Sequence, residues 1–404
     1  MNIDQQVEYF MQGTEYGDDK LKANMADELR LRLKTCQQEG RPLRVYCGFD
    51  PRKADLHLGH TVPMRKLRQF QELGHEVTFL IGNYTSLIGD PSDKDILRPQ
   101  LTHDEVAQNA QTYADQAFRI LEPSKTKIRY NAEWLAGLTF EQLIKLASNF
   151  TLQQFLTREN FKLRWDKGDA IYLHETFYSI MQGYDAYALQ ADVQIGGTDQ
   201  LFNIMTAARK IMTSLGAQPN IAIILGILPG TDGIVKMSKS LGNHIPINTD
   251  ARDMYGKVMS IPDTAMGQYF RLTTRLTPPE ISEIESAMKA GSLHPRDGKM
   301  KLAREIVSAF YSDEEAVEAE KAFVETFQKG AVPEDIPEVK LVSGLTLINL
   351  LISENLANSG SAVRRLVQQK GIKFDGTLID DPTFTFNKEG ILQVGKRHFF
   401  KIKK

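Results

Sequence analysis

The sequence predicts a multidomain α/β protein whose first part is a mostly parallel sheet with helices on both faces. Its 404 residues exceed the usual size of one hydrophobic core. The composition, with 42% hydrophobic and 25% charged residues, is that of an ordinary globular protein. Strand-like segments alternate with helix-like ones, an order that favours right-handed crossovers between parallel strands. In such sheets ligands bind beyond the carboxyl ends of the strands.

Five short, apolar and β-branched segments are the predicted strands. They are LRVYCGF, HEVTFLIG, TKIRYN, DVQIGG and NIAIILGIL, which begin at residues 43, 75, 126, 192 and 220. The spacing of apolar residues between them predicts helices, among them one over residues 59–73 and one over 103–121. The second begins with a capping box formed by Thr102 and Glu105, which supports a helix start at this point.

The N-terminal sequence, the hydropathy and the number of cysteines exclude several classes of protein. The first 13 residues lack the basic and apolar regions of a secretory signal. No apolar run reaches the roughly 18 residues that a membrane span needs. Two cysteines, Cys36 and Cys47, are too few for a disulfide scaffold or a structural zinc site. We therefore expect a cytoplasmic protein without membrane attachment.

The net charge of −2 is unevenly distributed along the chain. Residues 345–404 hold ten Lys and Arg against five Asp and Glu, a net of +5, which leaves −7 for residues 1–344. Residues 313–340 hold nine acidic residues against three lysines and include the segment KGAVPEDIPEV. An acidic helix that leads into a proline-containing linker predicts a domain boundary before the basic tail.

Two motifs follow the first and the last predicted strand of the sheet. In DPRKADLHLGH, His57 and His60 flank Gly59, a spacing that alone is compatible with zinc ligation, acid–base catalysis, phosphate binding or no site at all. In DGIVKMSKSLGN, Lys236 and Lys239 lie in a basic loop, which alone is most often a solvated surface. Both G-x-G-x-x-G and G-x-x-x-x-G-K-[ST] are absent, so any phosphate site uses other donors. Together the two motifs predict convergence on one polyphosphate.

The two motifs, His57-Leu-Gly-His60 and Lys236-Met-Ser-Lys-Ser240, resemble the signatures of the class I aminoacyl-tRNA synthetases. The segments VYCGFDPRKADLHLGH, LIGDPSDK, FYSIMQGYDAYALQADVQIGGTDQ and DGIVKMSKSLGN narrow the resemblance to bacterial tyrosyl-tRNA synthetases, over essentially the whole chain. This implies that L-tyrosine and ATP form tyrosyl-adenylate and pyrophosphate, and that tyrosine then passes to the 3'-terminal adenosine of tRNA(Tyr). It also implies Mg²⁺ on the ATP phosphates, no protein-bound metal site, and a homodimer.

The resemblance assigns roles to individual residues. Because the carboxylate of the amino acid is itself the nucleophile, catalysis rests on positioning and on stabilising phosphate charge. The residues expected to do this are His57, His60, Lys236, Lys239, Lys94 and Arg98. The expected ATP contacts are Asp50, Gly59, Gly197, Asp199, Met237, Ser238 and Lys239. The expected tyrosine contacts are Tyr46, Asp90, Tyr178, Gln182, Asp185 and Gln200.

Tyr46 and Asp185 are expected to meet at the phenol of the substrate. Phenylalanine would leave both groups unpaired, which is how tyrosyl-tRNA synthetases are known to reject it. Asp90, Tyr178 and Gln182 are expected at the α-amino group of the substrate, and Tyr178 and Gln182 lie four residues apart, on one face of a predicted helix.

The resemblance also divides the chain into domains. Residues 1–246 are expected to form a Rossmann-like catalytic domain, with an N-terminal helical segment and a helical insertion near residues 132–190. Residues 247–330 are expected to form an α-helical anticodon-side domain, residues 331–344 a linker, and residues 345–404 a small α+β S4-like RNA-binding domain. The tail residues expected to contact RNA phosphates are Arg364, Arg365, Lys370 and Lys373. A basic dimerisation or stabilising domain is the alternative for this tail.

Other functions remain open at this point. A small-molecule nucleotidyltransferase also uses H-x-G-H on a parallel sheet, but it needs neither the S4-like tail nor the pair Tyr46 and Asp185. A catalytically silent RNA-binding relative would tolerate broken signatures, whereas both are intact here. A tryptophan-specific enzyme is the nearest alternative, and the phenol-binding pair argues against it. Arg52 and Lys53 stand where many relatives have small neutral residues, so the ATP contacts there stay undecided.

Overall fold

The computed structural model describes residues 1–51, 56–92, 102–327, 336–342, 344–354, 356–357, 359–395 and 398–403. By compactness the chain divides into two units, Met1–Ala316 and Val317–Lys404. The boundary predicted after residue 246 falls inside the first unit, so the division of this unit into a catalytic and a helical domain stays a prediction.

The described elements follow one another in an alternating order up to residue 225 and are mostly helical after it. The strands are β1 (Arg44–Phe49), β2 (Glu76–Ile81), β3 (Thr126–Tyr130), β4 (Val193–Gly197) and β5 (Ile221–Leu225). The helices up to β5 are α1 (Ile3–Met11), α2 (Asp19–Gln38), α3 (Leu58–Glu72), α4 (His103–Ala117), α5 (Ala132–Leu135), α6 (Phe140–Ala147), α7 (Leu152–Leu156), α8 (Glu159–Lys167), α9 (Leu173–Ala188) and α10 (Arg209–Ser214). The helices after β5 are α11 (Ala251–Met259), α12 (Met266–Thr273), α13 (Pro278–Lys289), α14 (Pro295–Phe310) and α15 (Asp313–Phe327).

The first unit is built on one five-stranded parallel sheet in the order β3-β2-β1-β4-β5. Strand β1 is central: Val45 lies opposite Val77 of β2 and Val193 of β4. Every residue of β5 is buried, as expected of a parallel strand that is covered on both faces. The predicted parallel α/β fold and all five predicted strands are confirmed.

The predicted helices are present with shifted ends. The helix expected over residues 59–73 is α3, and the helix expected over residues 103–121 is α4, which begins at the Thr102 capping box but already ends at Ala117. The chain leaves this helix through a turn in which the N–H groups of Ile120 and Leu121 both donate to the carbonyl of Ala117.

The N-terminal helical segment packs on the helix that carries the first motif. The ring of Phe10 in α1 stacks on Phe70 in α3 with 3.7 Å between ring centroids. The buried ammonium of Lys66 in α3 donates to the carbonyls of Tyr9 and Gln12, at 3.3 and 3.0 Å. These contacts supply acceptors to a buried cation and fix α3, and therefore its N-terminal end, relative to the sheet.

The second unit is small and of mixed α and β structure. Its described elements are β6 (Glu338–Lys340), α16 (Leu347–Ser353), α17 (Gly360–Gln368), β7 (Ile372–Phe374), β8 (Thr377–Leu378), β9 (Gly390–Val394) and β10 (His398–Lys403). The five strands form a sheet in the order β6-β10-β9-β7-β8. Val363 and Val367 of α17 pack with Leu392 and Ile402 of this sheet in one core. This architecture fits the predicted S4-like domain.

Within the described ranges no helix combines the length and the apolar character that crossing a bilayer requires.

Candidate active site

The predicted site residues of the first unit gather at the carboxyl ends of the parallel strands. Asp50 follows β1, Asp90 follows β2, Asp199 follows β4, and the loop with Lys236 follows β5. Because the strands are parallel, these ends share one edge of the sheet. The N-terminal end of α3 and helix α9 complete the surroundings of this edge.

Tyr46 and Asp185 form the deepest part of the site. Tyr46 is 2% and Asp185 is 3% exposed, and the Tyr46 hydroxyl has no hydrogen-bond partner within the described part of the chain. Burial raises the pKa of Tyr46 well above its usual value, and the nearby Asp185 carboxylate raises it further. The pair therefore presents a hydroxyl that lacks a partner and, beside it, a buried carboxyl group, which suits a phenol.

Two residues that the sequence analysis missed hold Asp185. The indole nitrogen of Trp134 donates to Asp185 Oδ1 at 2.7 Å, and Asn131 Nδ2 donates to Oδ2 at 3.3 Å. Burial raises the pKa of Asp185 to about 7, although these two donors oppose the shift. The signal in the sequence is the segment NAEWL directly after the third strand, where a polar residue and an indole follow the strand end.

A chain of hydrogen bonds links the two carboxylates Asp185 and Asp50. Asn131 also donates to Thr85 Oγ1 at 3.0 Å, and Thr85 donates to Asp50 Oδ1 at 2.8 Å. The hydroxyl of Tyr178 donates to Asp50 Oδ2 at 3.0 Å. A Cβ on Gly82 would lie 2.2 Å from Asp50 Oδ1, so this close approach requires glycine. Tyr178, expected at the amino group of the substrate, is held here by a residue expected near ATP.

Helix α9 presents three of the predicted residues on one face. Tyr178, Gln182 and Asp185 follow each other at spacings of four and three, which places them on adjacent turns. The side-chain oxygen Oε1 of Gln182 is buried and lacks a hydrogen-bond partner among the residues described. This oxygen is therefore a ready acceptor for an ammonium group.

Asp90 and Gln200 contact each other directly. Gln200 Nε2 donates to Asp90 Oδ2, and the backbone N–H of Ser92 donates to Asp90 Oδ1 at 2.8 Å. Gly196, one residue before the end of β4, allows this approach, since a Cβ there would lie 2.9 Å from Gln200 Cβ. The structure therefore brings together two residues that the resemblance assigned to the substrate separately.

The rings of His57 and His60 lie close together at the start of α3, with 3.8 Å between their centroids and 44° between their planes. Nδ1 of His60 accepts the backbone N–H of His57 at 3.2 Å, so the proton of a neutral His60 ring lies on Nε2. Burial lowers the pKa of His57 to about 2, and the neighbouring imidazoles and lysines add to this. His57 is therefore a neutral hydrogen-bond donor at physiological pH. A Cβ on Gly59 would lie 3.1 Å from its ring.

The lysine motif lies in a loop that is folded back on itself. Lys236 Nζ lies 3.3 Å from Asp199 Oδ2, which joins two residues expected at ATP. Met237 is buried, and its N–H donates to the carbonyl of Leu228 at 3.1 Å. The N–H of Ser238 donates to the side chain of Asn243 at 2.8 Å. These contacts give the loop a defined conformation with its lysines at the sheet edge.

A third imidazole, which the sequence analysis missed, lies beside the two histidines of the first motif. The His244 ring lies 6.2 Å from that of His57, and its buried Nδ1 has no partner in the described ranges. The backbone N–H of Leu58 donates to the carbonyl of Ile245 at 2.8 Å. The exit of the lysine loop is therefore joined to the start of α3, so the two predicted motifs meet.

Gly197 and Asp199 form the turn after β4. A Cβ on Gly197 would lie 2.6 Å from Asp199 Oδ1, so glycine leaves room for this carboxylate. Lys94, Arg98, Arg52 and Lys53 lie outside the described residues. The structure thus brings together all other residues predicted for amino acid and ATP.

The predicted RNA contacts lie in the second unit. The side chains of Arg364, Arg365, Lys370 and Lys373 are all exposed there. Among the residues with described positions, no group of three or more His, Cys, Asp or Glu side chains is arranged to hold a metal ion.

Comparison with known proteins shows the family of this chain. The model of the family tRNA synthetases class I (W and Y) matches residues 38–328. The chain belongs to this family of class I tRNA synthetases. The synthetase is 46% identical over 380 residues to the tyrosine–tRNA ligase of Desulfotalea psychrophila, covering 93% of this chain and 94% of that protein.

Two further similarities extend over most of the synthetase. It is 45% identical over 389 residues to the tyrosine–tRNA ligase of Thermotoga maritima, covering 95% of this chain and 96% of that protein. The fold is shared with the tyrosyl-tRNA synthetase of Archaeoglobus fulgidus, crystallised with L-tyrosine. That similarity has a TM-score of 0.59 at 21% identity and covers 79% of this chain and 100% of the other.

The raised pKa of Asp185 predicts a specific pH dependence of stability. The folded protein holds this proton more tightly than the unfolded chain, so the contribution of Asp185 to stability falls as pH rises from about 4 to about 7. Asp185→Asn removes this contribution. In thermal unfolding of the ligand-free synthetase, the unfolding temperature of the variant should therefore rise relative to that of the wild type between pH 5 and pH 8.

Asp192→Asn is the matched control for this experiment. Burial opposes ionisation of Asp192, but hydrogen bonds from Arg41, from the N–H of Arg44 and from Arg32 lower its pKa below the usual value of an aspartate. The contribution of ionised Asp192 to the free energy of unfolding is lost only as pH falls through that low pKa. Asp192→Asn should therefore be less stable than the wild type by the same amount at pH 5 and at pH 8. An Asp185→Asn difference that is likewise constant would contradict a protonated, buried Asp185.

Proposed function

We propose that this chain is a tyrosine–tRNA ligase. It joins L-tyrosine to the α-phosphate of ATP, releases pyrophosphate, and transfers tyrosine from the adenylate to the 3'-terminal adenosine of tRNA(Tyr). The observation that carries this proposal is the buried Tyr46 hydroxyl beside Asp185. A phenol hydroxyl both donates and accepts one hydrogen bond there, whereas the side chain of phenylalanine leaves the buried Tyr46 hydroxyl unpaired and offers no hydrogen bond to Asp185.

The activation step needs no protein nucleophile. One carboxylate oxygen of tyrosine forms a bond to the α-phosphorus of ATP, and the bond from that phosphorus to the bridging oxygen of pyrophosphate breaks. His57 donates a neutral N–H group and His60 donates its Nε2–H to the phosphate oxygens, and Lys236 and Lys239 supply positive charge to the departing pyrophosphate. Lys94 and Arg98 belong to the same set by resemblance. ATP enters as its Mg²⁺ complex, in which the metal ion is part of the substrate.

The α-ammonium group of tyrosine binds between Asp90 and helix α9. The unpaired Oε1 of Gln182 and the carboxylate of Asp90 accept its hydrogens, and Gln200 orients Asp90 by donating to it. Tyr178 contributes through its bond to Asp50, which also borders the ATP side of the site. Met237, Ser238, Gly59, Gly197 and Asp199 line the adenosine and phosphate side, where small residues and backbone N–H groups allow close approach.

The second unit binds tRNA phosphates through its exposed basic residues. Arg364 and Arg365 lie on α17, Lys370 follows this helix, and Lys373 lies on β7. Positive charge on an exposed helix and turn is suited to phosphate contacts. Residues 247–330 form the anticodon-side helical domain in this proposal, and the enzyme works in the cytoplasm.

The enzyme acts as a homodimer through the helical insertion before β4. Exposed large apolar side chains are concentrated in this insertion and the strand before it. They are Tyr130, Phe140, Ile144, Leu152, Leu163, Trp165, Tyr172 and Leu173. A monomer gains nothing from exposing such a surface, and a second copy of the chain is the commonest occupant of one.

The choice of substrate is tested by pyrophosphate exchange into ATP across all twenty amino acids. Tyrosine should give the highest exchange, and Tyr46→Phe should lower the preference for tyrosine over phenylalanine by about tenfold, because one discriminating group is gone. The variant should unfold at the same temperature as the wild type or higher, since its buried unpaired hydroxyl is removed.

Tyr269→Phe is the matched control for the substrate test. It removes a buried hydroxyl that is hydrogen-bonded to the carbonyl of Pro229 at 2.7 Å. It should therefore lower the unfolding temperature and leave the preference for tyrosine unchanged. Highest exchange with tryptophan, or a Tyr46→Phe variant with unaltered preference, would contradict the tyrosine proposal.

The dimer surface is tested by sedimentation of the full chain. The wild type should sediment at twice the 45.6 kDa of one chain. Leu173→Glu should shift it to the monomer, because a charge at this 70% exposed position is desolvated only in the dimer. Leu31→Glu changes a 64% exposed leucine on α2, outside the surface, and should remain dimeric. A Leu173→Glu protein that stays dimeric would exclude this surface.

RNA binding by the second unit is tested by charge removal in the full chain. Arg364→Gln with Arg365→Gln should weaken tRNA binding and lower the salt slope of log Kd by about two, one for each lost phosphate contact. Tyrosine-dependent pyrophosphate exchange should not change. Lys401→Gln, on an exposed position of β10, is the control and should alter neither quantity. An unchanged slope in the double variant would assign the tail another role.

A further inference from the structure

Arg158 is a buried cation that the chemistry proposed above does not use. It lies between α7 and α8 and is 7% exposed. Its guanidinium carbon lies 5.2 Å from the ring centroid of Phe161 and 4.9 Å from that of Phe202. Within the ranges that the structure describes, no carboxylate forms an ion pair with it. A buried charge without an ion-pair partner is costly, so its presence calls for a compensating interaction.

One hydrogen-bonded arm leads from Arg158 to the first oxygen of Asp90. Arg158 Nη2 donates to Ser92 Oγ at 2.6 Å. The backbone N–H of Ser92 donates to Asp90 Oδ1 at 2.8 Å. Arg158 therefore fixes the residue whose backbone holds one side of the Asp90 carboxylate.

A second arm leads from the same guanidinium to the other oxygen of Asp90. Arg158 Nη1 donates to Ser179 Oγ at 2.8 Å, and Ser179 donates to Asn203 Oδ1 at 2.7 Å. Asn203 Nδ2 donates to Gln200 Oε1 at 3.0 Å. Gln200 Nε2 then donates to Asp90 Oδ2. The two arms close into a ring with Arg158 at one end and Asp90 at the other.

The second arm has a single direction. Each hydroxyl or amide in it accepts on the side of Arg158 and donates on the side of Asp90, so the bonds polarise one another. Ser179 and Asn203 are both fully buried, which removes competing water. Burial lowers the pKa of Arg158, and the negative charge of Asp90 opposes that shift, so the two charges interact across the ring.

We propose that Arg158 is a positioning residue for amino-acid binding, which fixes both oxygens of Asp90 so that their remaining lone pairs face the α-ammonium group of the substrate. This rests on the proposed function, in which Asp90 binds that ammonium. Arg158 contacts neither substrate nor ATP in this arrangement. Its charge offsets the cost of holding the Asp90 carboxylate in a partly buried site before the ammonium arrives.

A pair of ligands that differ only in the α-amino group separates this role from a general structural one. L-Tyrosine carries the ammonium, whereas 3-(4-hydroxyphenyl)propionate has the same phenol and carboxylate without it. Calorimetric titration of the full-length Arg158→Met protein should show tyrosine affinity lowered by about tenfold or more, the size expected for a disturbed hydrogen bond to a charged group. The affinity for the propionate should stay within about twofold of the wild type.

Arg158→Lys and Ser179→Ala refine the result. Lysine keeps the charge but cannot serve both serines in the fork geometry, so it should recover part of the lost tyrosine affinity. Ser179→Ala cuts one arm and leaves the guanidinium in place, and should also weaken tyrosine more than the propionate. If circular dichroism shows that Arg158→Met does not fold, Ser179→Ala and Ser92→Ala decide the question. Equal losses for both ligands in folded variants would overturn the proposal.

Two further measurements complete the design. In an Asp90→Asn background, Arg158→Met should change tyrosine affinity little, because the carboxylate it positions is gone. A full additional loss there would likewise overturn the proposal. Tyrosine-dependent pyrophosphate exchange by the wild type reports on the proposed function separately. Absence of exchange would refute that function. Normal exchange, together with equal losses of affinity for tyrosine and for the propionate in the variants, would refute only the role of Arg158.

Discussion

Every carboxylate placed at the edge of this sheet must be supplied with hydrogen-bond donors, and that requirement organises the amino-acid side of the site. Asp50, Asp90 and Asp185 all lie near the ends of parallel strands, where like charges repel in a medium of low polarity. Each is held by neutral donors on both oxygens. Asn131 donates both to Asp185 and to Thr85, which holds Asp50, and so links the carboxylate proposed to face the phenol to the one proposed to lie near ATP.

The part of the site that holds the histidines and lysines is organised in the opposite way. His57 is kept neutral by burial, and Nδ1 of His60 accepts the backbone N–H of His57, which leaves Nε2–H as the donor of the His60 ring. Positive charge comes instead from Lys236 in a loop whose exit is bound to the start of α3. Oxygen acceptors and N–H donors are thus separated along one edge, and in the proposed function this separation sets the direction in which an amino acid and ATP lie.

The sequence was most informative where one local pattern determines the structure. NIAIILGIL is a continuous apolar run, and it forms a strand that is buried along its whole length. The helix after Thr102 was extended too far, because the apolar spacing continues past its end: Ala117, Ile120 and Leu121 are all buried, although the helix already ends at Ala117. For the site, the spacing of His57 and His60 alone was compatible with several chemistries. Only the ordered set of motifs along the chain favoured phosphate binding over the others.

Residues whose role comes from long-range contacts escaped the sequence analysis. Trp134 and Asn131 meet Asp185 across 51 and 54 residues of sequence. His244 acquires its neighbours only when the loop after β5 returns to α3. Arg158, in the segment LTRENFK, has the appearance of a solvated surface arginine. No periodicity or motif encodes such contacts, because they depend on which chain segments the crossovers bring together.

The way Asp185 is held also bears on how this pocket can change during evolution. Replacing Asp185 alone by an apolar residue would strand the indole N–H of Trp134 and one amide hydrogen of Asn131 in a dry interior. Adapting the pocket to an apolar side chain therefore requires coordinated substitutions at three positions, contributed by two separate segments of the chain. A variant that carries only one of these substitutions has buried donors without hydrogen bonds and is therefore destabilised. A change of substrate specificity at this pocket is thus hard to reach by successive point mutations.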